Sequence, residues 1–145
     1  MIRFVYKQTI LRMKSFKAGS VAFIVLGILH VIVQIAGNFS QSASTRAMRH
    51  VMEMHKINLI GEHNLLEFHL GFSYMMGFLL TAFGIQNIFL SNKLNKKICV
   101  AAIVFTSIAL LLSIKYFHLL STLFILFSLI CYIISLRTLI MEIHN

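Results

Sequence analysis

Four apolar segments, separated by short polar or basic connections, constrain this chain more than any other feature. They lie at about residues 18–37, 65–90, 98–114 and 119–136. An α-helix rises ~1.5 Å per residue, so about 20 residues cross a hydrocarbon core of about 30 Å. Only 12% of the residues are charged, whereas soluble domains carry roughly twice that fraction. The sequence therefore predicts a single all-α membrane domain over residues 1–145.

The first apolar segment has a competing interpretation as a secretory signal peptide. Its basic leader is long for a signal peptide, and Gln41-Ser42-Ala43 is a poor small-x-small cleavage site. A membrane span is the preferred interpretation of residues 18–37.

The distribution of Lys and Arg predicts the orientation of the spans. Nine of these residues lie in the leader, in the connection between the second and third spans and in the tail, and four lie in the two other connections. Cytoplasmic flanks collect Lys and Arg, so we expect an inner-membrane protein with both termini in the cytoplasm. The same placement favours the lipid bilayer over nucleic acid as the partner of this basic chain.

The connection at residues 38–64 has its own helical period. Apolar side chains from Ala47 to Met52 fall on one face, and Arg46, Arg49 and Glu53 fall on the other. Ser44 or Thr45 could cap such a helix. We expect a short amphipathic helix that lies on the external membrane surface.

Small and polar residues recur at spacings of three and four in the spans. Helices in lipid associate by close packing of small residues and by interhelical hydrogen bonds. The stripes contain Gly27, His30, Gln34 and Gly37 in the first span, His69, Ser73, Gly77, Thr81 and Gly84 in the second, Ala102, Thr106, Ala109 and Ser113 in the third, and Ser121, Ser128 and Ser135 in the fourth. They predict an antiparallel four-helix bundle.

Ionisable and polar groups at membrane depth are costly and therefore mark candidate sites. His30 and Gln34 lie one turn apart in the outer half of the first span, and Glu67 and His69 open the second span. Tyr74 follows deeper in the second span. These five residues form the predicted outer-half ligand-binding cluster, although a hydrogen bond from His30 across the bundle could equally be structural.

The same region contains a few residues that are weak candidates for metal ligands. His63 and Glu67 share a helical face, and His69 or His118 could add a nitrogen ligand, but no His-Glu-x-x-His pair is present. Haem between His30 and His69 is a still weaker alternative. We therefore expect no metal and no cofactor. The chain contains no Asp and no phosphate-binding loop, which disfavours hydrolase and nucleotide chemistry.

Three short motifs carry a resemblance to known proteins. Gly27-Ile28-Leu29-His30, Ala47-Met48 and Leu70-Gly71-Phe72-Ser73, followed by Gly77 and Gly84, resemble a family of short, uncharacterised bacterial four-span membrane proteins over about residues 20–90. That family tends to have Trp where this chain has His69. The resemblance implies a four-span fold and a membrane location, and the likeness to DoxX-like proteins is one of architecture alone.

Three functional hypotheses follow. The first is a pocket for a small amphiphile, a lipid or a quinone, at His30, Gln34, Glu67 and His69. The second is an accessory or structural subunit that packs against other membrane proteins and has no ligand of its own; a homo-oligomer is a further possible assembly. The third is a membrane enzyme that uses Glu67 or His69 as acid or base. A transporter is disfavoured because four short spans occur in a single copy.

Overall fold

The helices follow the apolar segments of the sequence closely. In the computed structural model, which describes residues 2–37, 39, 42–58 and 61–144, five α-helices and one 3-10 turn are present. They are α1 (Ile2–Gly37), α2 (Ala43–Met54), α3 (Leu65–Leu90), α4 (Lys96–Tyr116) and α5 (Leu119–His144), with the 3-10 turn at Ser91–Lys93. Four of them, α1, α3, α4 and α5, are long and apolar enough to cross a membrane.

Helix α1 begins well before the predicted first span. The prediction started the span at residue 18, whereas the helix begins at Ile2 and its apolar stretch begins at Ile10. Residues 2–18 contain neither Gly nor Pro and include several Lys and Arg, which are good helix formers. The basic leader therefore continues the helix instead of preceding it.

The connection between α1 and α3 contains the predicted helix and an unpredicted hairpin. Helix α2 is capped by Ser42, whose Oγ accepts a hydrogen bond of 3.2 Å from Thr45 N, and not by Ser44 or Thr45. Strands β1 (Lys56–Asn58) and β2 (Glu62–Asn64) then pair antiparallel, with Ile57 opposite His63. Gly61 has φ +92°, a left-handed conformation that glycine adopts without steric cost, at the turn into β2.

Backbone contacts divide the chain into two compact units. The first unit contains Met1–Leu26 and Leu80–Asn145, and the second unit contains Gly27–Leu79. Helices α1 and α3 therefore contribute to both units. The core of the first unit comes from α1, α4 and α5 and includes Phe16, Phe23, Cys99, Ile125 and Tyr132.

Helices α1 and α5 run antiparallel in the first unit, and two serines spaced by seven residues join them. Ser128 Oγ lies 3.0 Å from Gly19 O, and Ser135 Oγ lies 3.1 Å from Arg12 O. The two carbonyls are themselves seven residues apart, in the opposite chain direction. Both serine side chains are fully buried. Two of the three serines of the predicted stripe, Ser128 and Ser135, therefore lie on the face of α5 that contacts α1.

Helices α3 and α4 also place small residues at their contacts. A Cβ atom on Gly84 would meet Ile24 Cγ1 and Ser20 O at 2.6 Å, so α1 and α3 approach closely in the first unit. Cys99, Ala102, Thr106 and Ser113 are the buried residues of α4. Three of the four residues of the predicted third stripe are in this set; Ala109 is half-buried, and Cys99 was not part of the prediction.

Candidate functional site

His30 makes a hydrogen bond between α1 and α3 within the second unit. Its Nε2 atom lies 2.9 Å from Ser73 Oγ. One turn further along α3, a Cβ atom on Gly77 would approach Val31 Cγ2 at 2.6 Å and Gly27 O at 3.0 Å. The absence of a side chain at Gly77 therefore lets the two helices approach closely enough for this bond to form.

Gln34 and Tyr74 flank this hydrogen bond. Gln34 lies one turn beyond His30 on α1, and Tyr74 directly follows Ser73 on α3. Both side chains are half-buried. In the second unit, His30, Gln34, Ser73 and Tyr74 are therefore half-buried polar side chains within apolar stretches of α1 and α3.

Glu67 belongs to the N-terminus of α3. Asn64 Oδ1 accepts a hydrogen bond of 2.8 Å from Glu67 N, and Asn64 N donates one of 3.3 Å to Glu67 Oε2. This reciprocal pair is a capping box, with Asn in the position that Ser or Thr often occupies. Glu67 Oε2 also lies 3.4 Å from His63 Nδ1. The carboxylate thus accepts the backbone N–H of Asn64 at the helix start and lies near the positive end of the helix dipole.

The predicted cluster separates into different local environments. His69 and Glu67 are exposed, whereas His30 is half-buried against Ser73. No hydrogen bond or ion pair between described residues joins His30 to Glu67 or His69. The amphiphile pocket built on all five residues stays a prediction, but the contacts assign His30 to helix association and Glu67 to helix capping.

The weak metal candidates are likewise placed by the structure. His63 and Glu67 are neighbours, as their spacing predicts, and His118 lies between α4 and α5 in the first unit. Among the residues that the structure describes, no group of three or more His, Cys, Asp or Glu side chains could hold a metal ion.

A buried polar network in the first unit was not predicted. Tyr132 is fully buried, and its hydroxyl lies 3.3 Å from Ser20 Oγ and accepts a hydrogen bond of 3.3 Å from Asn87 Nδ2. The network connects α1, α3 and α5. Asn87 carries an amide inside an apolar span, three residues before the end of that span. A polar group in such a position marks a candidate site, by the same argument that predicted a site at His30.

Asn87 also lines a groove between α3 and α4. The groove has a volume of about 280 Å³. Its walls include Phe83, Gln86, Leu90, Lys97 and Phe105. Gln86 and Lys97 are exposed, so both polar groups are accessible from the surface. The groove therefore combines an aromatic lining with amide and ammonium groups, which is the composition of a ligand site.

A second groove in the first unit has a different character. It lies between α1 and α5 and has a volume of about 390 Å³. Its lining is aliphatic and aromatic, and includes Val21, Val25, Leu123 and Phe127. No polar side chain lines it, so it supplies no group that could orient a ligand.

Comparisons of this chain with protein-family models, with curated proteins and with solved structures give no match.

Proposed function

We propose that this chain is a multi-pass inner-membrane protein that binds a small amphiphile in the groove between α3 and α4. Its four membrane-spanning helices would form an antiparallel bundle with both termini in the cytoplasm, and α2 would lie on the external membrane surface. The proposed ligand is a lipid or a quinone. No reaction is assigned to the site.

The interhelical contacts support the bundle. Within the first unit, hydrogen bonds run antiparallel between α1 and α5, and the Ser113–Thr122 and Cys99–Ser135 contacts run antiparallel between α4 and α5. Short connections between α3 and α4 and between α4 and α5 are typical of neighbouring antiparallel helices.

The amphipathic character of α2 supports a position at the membrane surface. None of its residues is buried, and its exposed apolar side chains include Met48, Val51 and Met54. Arg46 and Arg49 lie on the same short helix. Amphipathic helices of this kind place their apolar side among the acyl chains and their basic side among the headgroups.

The single observation that carries the proposed function is the composition of the α3–α4 groove. Phe83 and Phe105 offer an apolar surface, and the exposed side chains of Gln86 and Lys97 offer donors that could orient a polar head. The His30 region has no comparable advantage, because His30 already bonds Ser73 and Gly77 packs directly on α1.

A groove-filling substitution tests this proposal. Ala101 lines the groove and is exposed, so Ala101→Phe would occupy part of the volume without removing a polar group. Val100 is the neighbouring exposed residue on α4, so Val100→Phe is the matched control. The masses of both variants and of the wild-type chain would be measured by native mass spectrometry after extraction in a mild detergent.

We expect a stoichiometric extra mass on the wild-type chain and on Val100→Phe, and its loss on Ala101→Phe. An extra mass that persists on Ala101→Phe would place the ligand outside this groove. A bare wild-type chain, or one that carries only other proteins, would overturn the proposal in favour of an accessory subunit.

A further inference from the structure

The α3–α4 groove has polar residues at one end and aromatic residues further along. Leu90 ends α3 and Lys97 is the second residue of α4, so both mark the end of the groove near the α3–α4 connection. Gln86 and Asn87 lie about one turn inside that end. Phe83 and Phe105 lie deeper, ~10–12 Å along their helices from Leu90 and Lys97. The groove is polar at its mouth and aromatic inside, as an amphiphile entering from the membrane surface requires.

The mouth of the groove is also strongly basic. Lys93 and Lys96 lie beside Lys97 at the α3–α4 connection, and all three side chains are exposed. Of the described carboxylates, none forms an ion pair with these lysines. The N-terminus of α4 adds the positive end of a helix dipole at the same place.

Net charge is confined to the unit that contains the groove. The first unit has ten Lys and Arg and a single acidic residue, Glu142, which pairs with Arg12. The second unit has three Lys and Arg and three Glu, so its formal charge is zero. The formal charge of +9 therefore belongs entirely to the first unit. This charge is complementary to an anionic head, whereas a neutral head carries no charge to complement it.

We propose that the occupant of the groove is an anionic phospholipid from the leaflet that faces the Lys93–Lys97 connection. This inference rests on the proposed function and specifies its ligand. The phosphate contacts Lys97, the ester region lies at the depth of Gln86, and one acyl chain runs inward along the aromatic pair of Phe83 and Phe105, whose ring centroids lie 6.5 Å apart. The groove, with a volume of about 280 Å³, is too small for a whole lipid and would hold part of one acyl chain.

The first step of the test compares headgroups. The delipidated chain in a mild detergent would be titrated with phosphatidylglycerol and with phosphatidylcholine that carry identical acyl chains, and the bound fraction would be read by native mass spectrometry. We expect tighter binding of phosphatidylglycerol, and a preference that shrinks as salt is added.

The second step compares lysines. A Lys near an anionic lipid surface contributes enough that Lys97→Gln should weaken phosphatidylglycerol binding roughly fivefold, while Lys97→Arg should retain it. Lys115 lies at the opposite end of α4, so Lys115→Gln is the matched control and should bind like the wild-type chain.

Two results would overturn this inference. Equal affinity for the two lipids, with Lys97→Gln unchanged, would show that the head is not recognised as an anion; if Ala101→Phe still removed the bound mass, the proposed function would survive. A loss caused by Lys97→Gln but not by Ala101→Phe would place the anion on the exposed lysines and not in the groove.

Discussion

Gly84 illustrates how single residues set the distance between helices. A Cβ atom there would come within 2.6 Å of Ile24 Cγ1 and of Ser20 O, and one of these two atoms belongs to the backbone. Gly71, on the same helix, has nothing within 4 Å of the corresponding position. Two glycines of one helix thus differ completely in what a methyl group would meet.

We expect Gly84→Ala to destabilise the chain by about 1–3 kcal/mol, because the backbone of α1 must move. Gly71→Ala should be neutral or stabilising by up to about 1 kcal/mol, because alanine favours the helix. Thermal unfolding in detergent, followed by circular dichroism, measures both. Equal midpoints for the two variants would contradict the close approach at Gly84.

The capping box at the start of α3 makes a second prediction at this scale. Asn64→Ala should cost about 1 kcal/mol, since it removes the acceptor for Glu67 N. Glu67→Gln should cost less, because glutamine also serves at this position of a capping box.

Unfolding midpoints of both variants, with Glu62→Gln as a control in the neighbouring strand, would check this. A loss of the bound amphiphile in Glu67→Gln at unchanged stability would instead assign Glu67 to a ligand site.

Some of these roles could be predicted from sequence and others could not. The pattern Asn64-x-x-Glu67 before an apolar run predicts a helix N-cap. Because acidic residues are rare in this chain, Glu67 was instead interpreted as a ligand-binding residue. The partner of His30 was not predictable, because the pairing with Ser73 depends on the register of two helices. The Asn87–Tyr132 bond depends on register in the same way.

Helix α5 shows how a repeat along one element defines a contact face. Ser128 and Ser135 place their hydroxyls on carbonyls of α1 that are also seven residues apart. A spacing of seven keeps side chains on the same seam of two packed helices. Ser128 Oγ lies 2.9 Å from Phe124 O as well, so its single proton is shared between two acceptors.

We expect Ser128→Ala and Ser135→Ala each to destabilise the chain by about 0.6 kcal/mol, the average for interhelical hydrogen bonds in membrane proteins. Ser121, the half-buried first member of the repeat, is the control and should tolerate alanine better. Unfolding by a denaturing detergent measures all three. A larger effect at Ser121 than at Ser135 would contradict the assigned contact face.

The sequence predicted some helices and strands more accurately than others. The second apolar segment and α3 have the same bounds, residues 65–90, because apolar composition and polar flanks change together there. The β-hairpin was missed because each strand has only three residues, too few for a period to be recognised. Helix α1 extends beyond the N-terminal end of the predicted membrane span, because the Lys and Arg residues interpreted as a flank of the span also favour helix formation.

Charge distribution is a property of the whole molecule. Four helices that all cross the membrane, as proposed, would place the start of α1 and the end of α5 on the same side. The positive-inside rule then predicts that Asn92, in the basic α3–α4 connection, faces the cytoplasm and that Ser44 faces outward. Cys99 and Cys131 are buried, so background labelling of the native thiols should be low.

We expect a membrane-impermeant maleimide to label a Ser44→Cys variant in intact cells, and to label Asn92→Cys only after the membrane is permeabilised. The measurement is the labelled fraction of each variant on a gel. The reverse pattern would invert the proposed orientation and move the groove mouth to the outer leaflet.

The central claim is that an amphiphile occupies the α3–α4 groove, and an experimental density map tests it most directly. The 16.6 kDa chain would be bound to an antibody fragment in nanodiscs that contain phosphatidylglycerol, and its structure determined by electron cryomicroscopy. The account predicts an elongated density that begins at Lys97 and runs inward along the rings of Phe83 and Phe105. A groove closed by Gln86 and Phe105, or an open groove without ordered density, would contradict it.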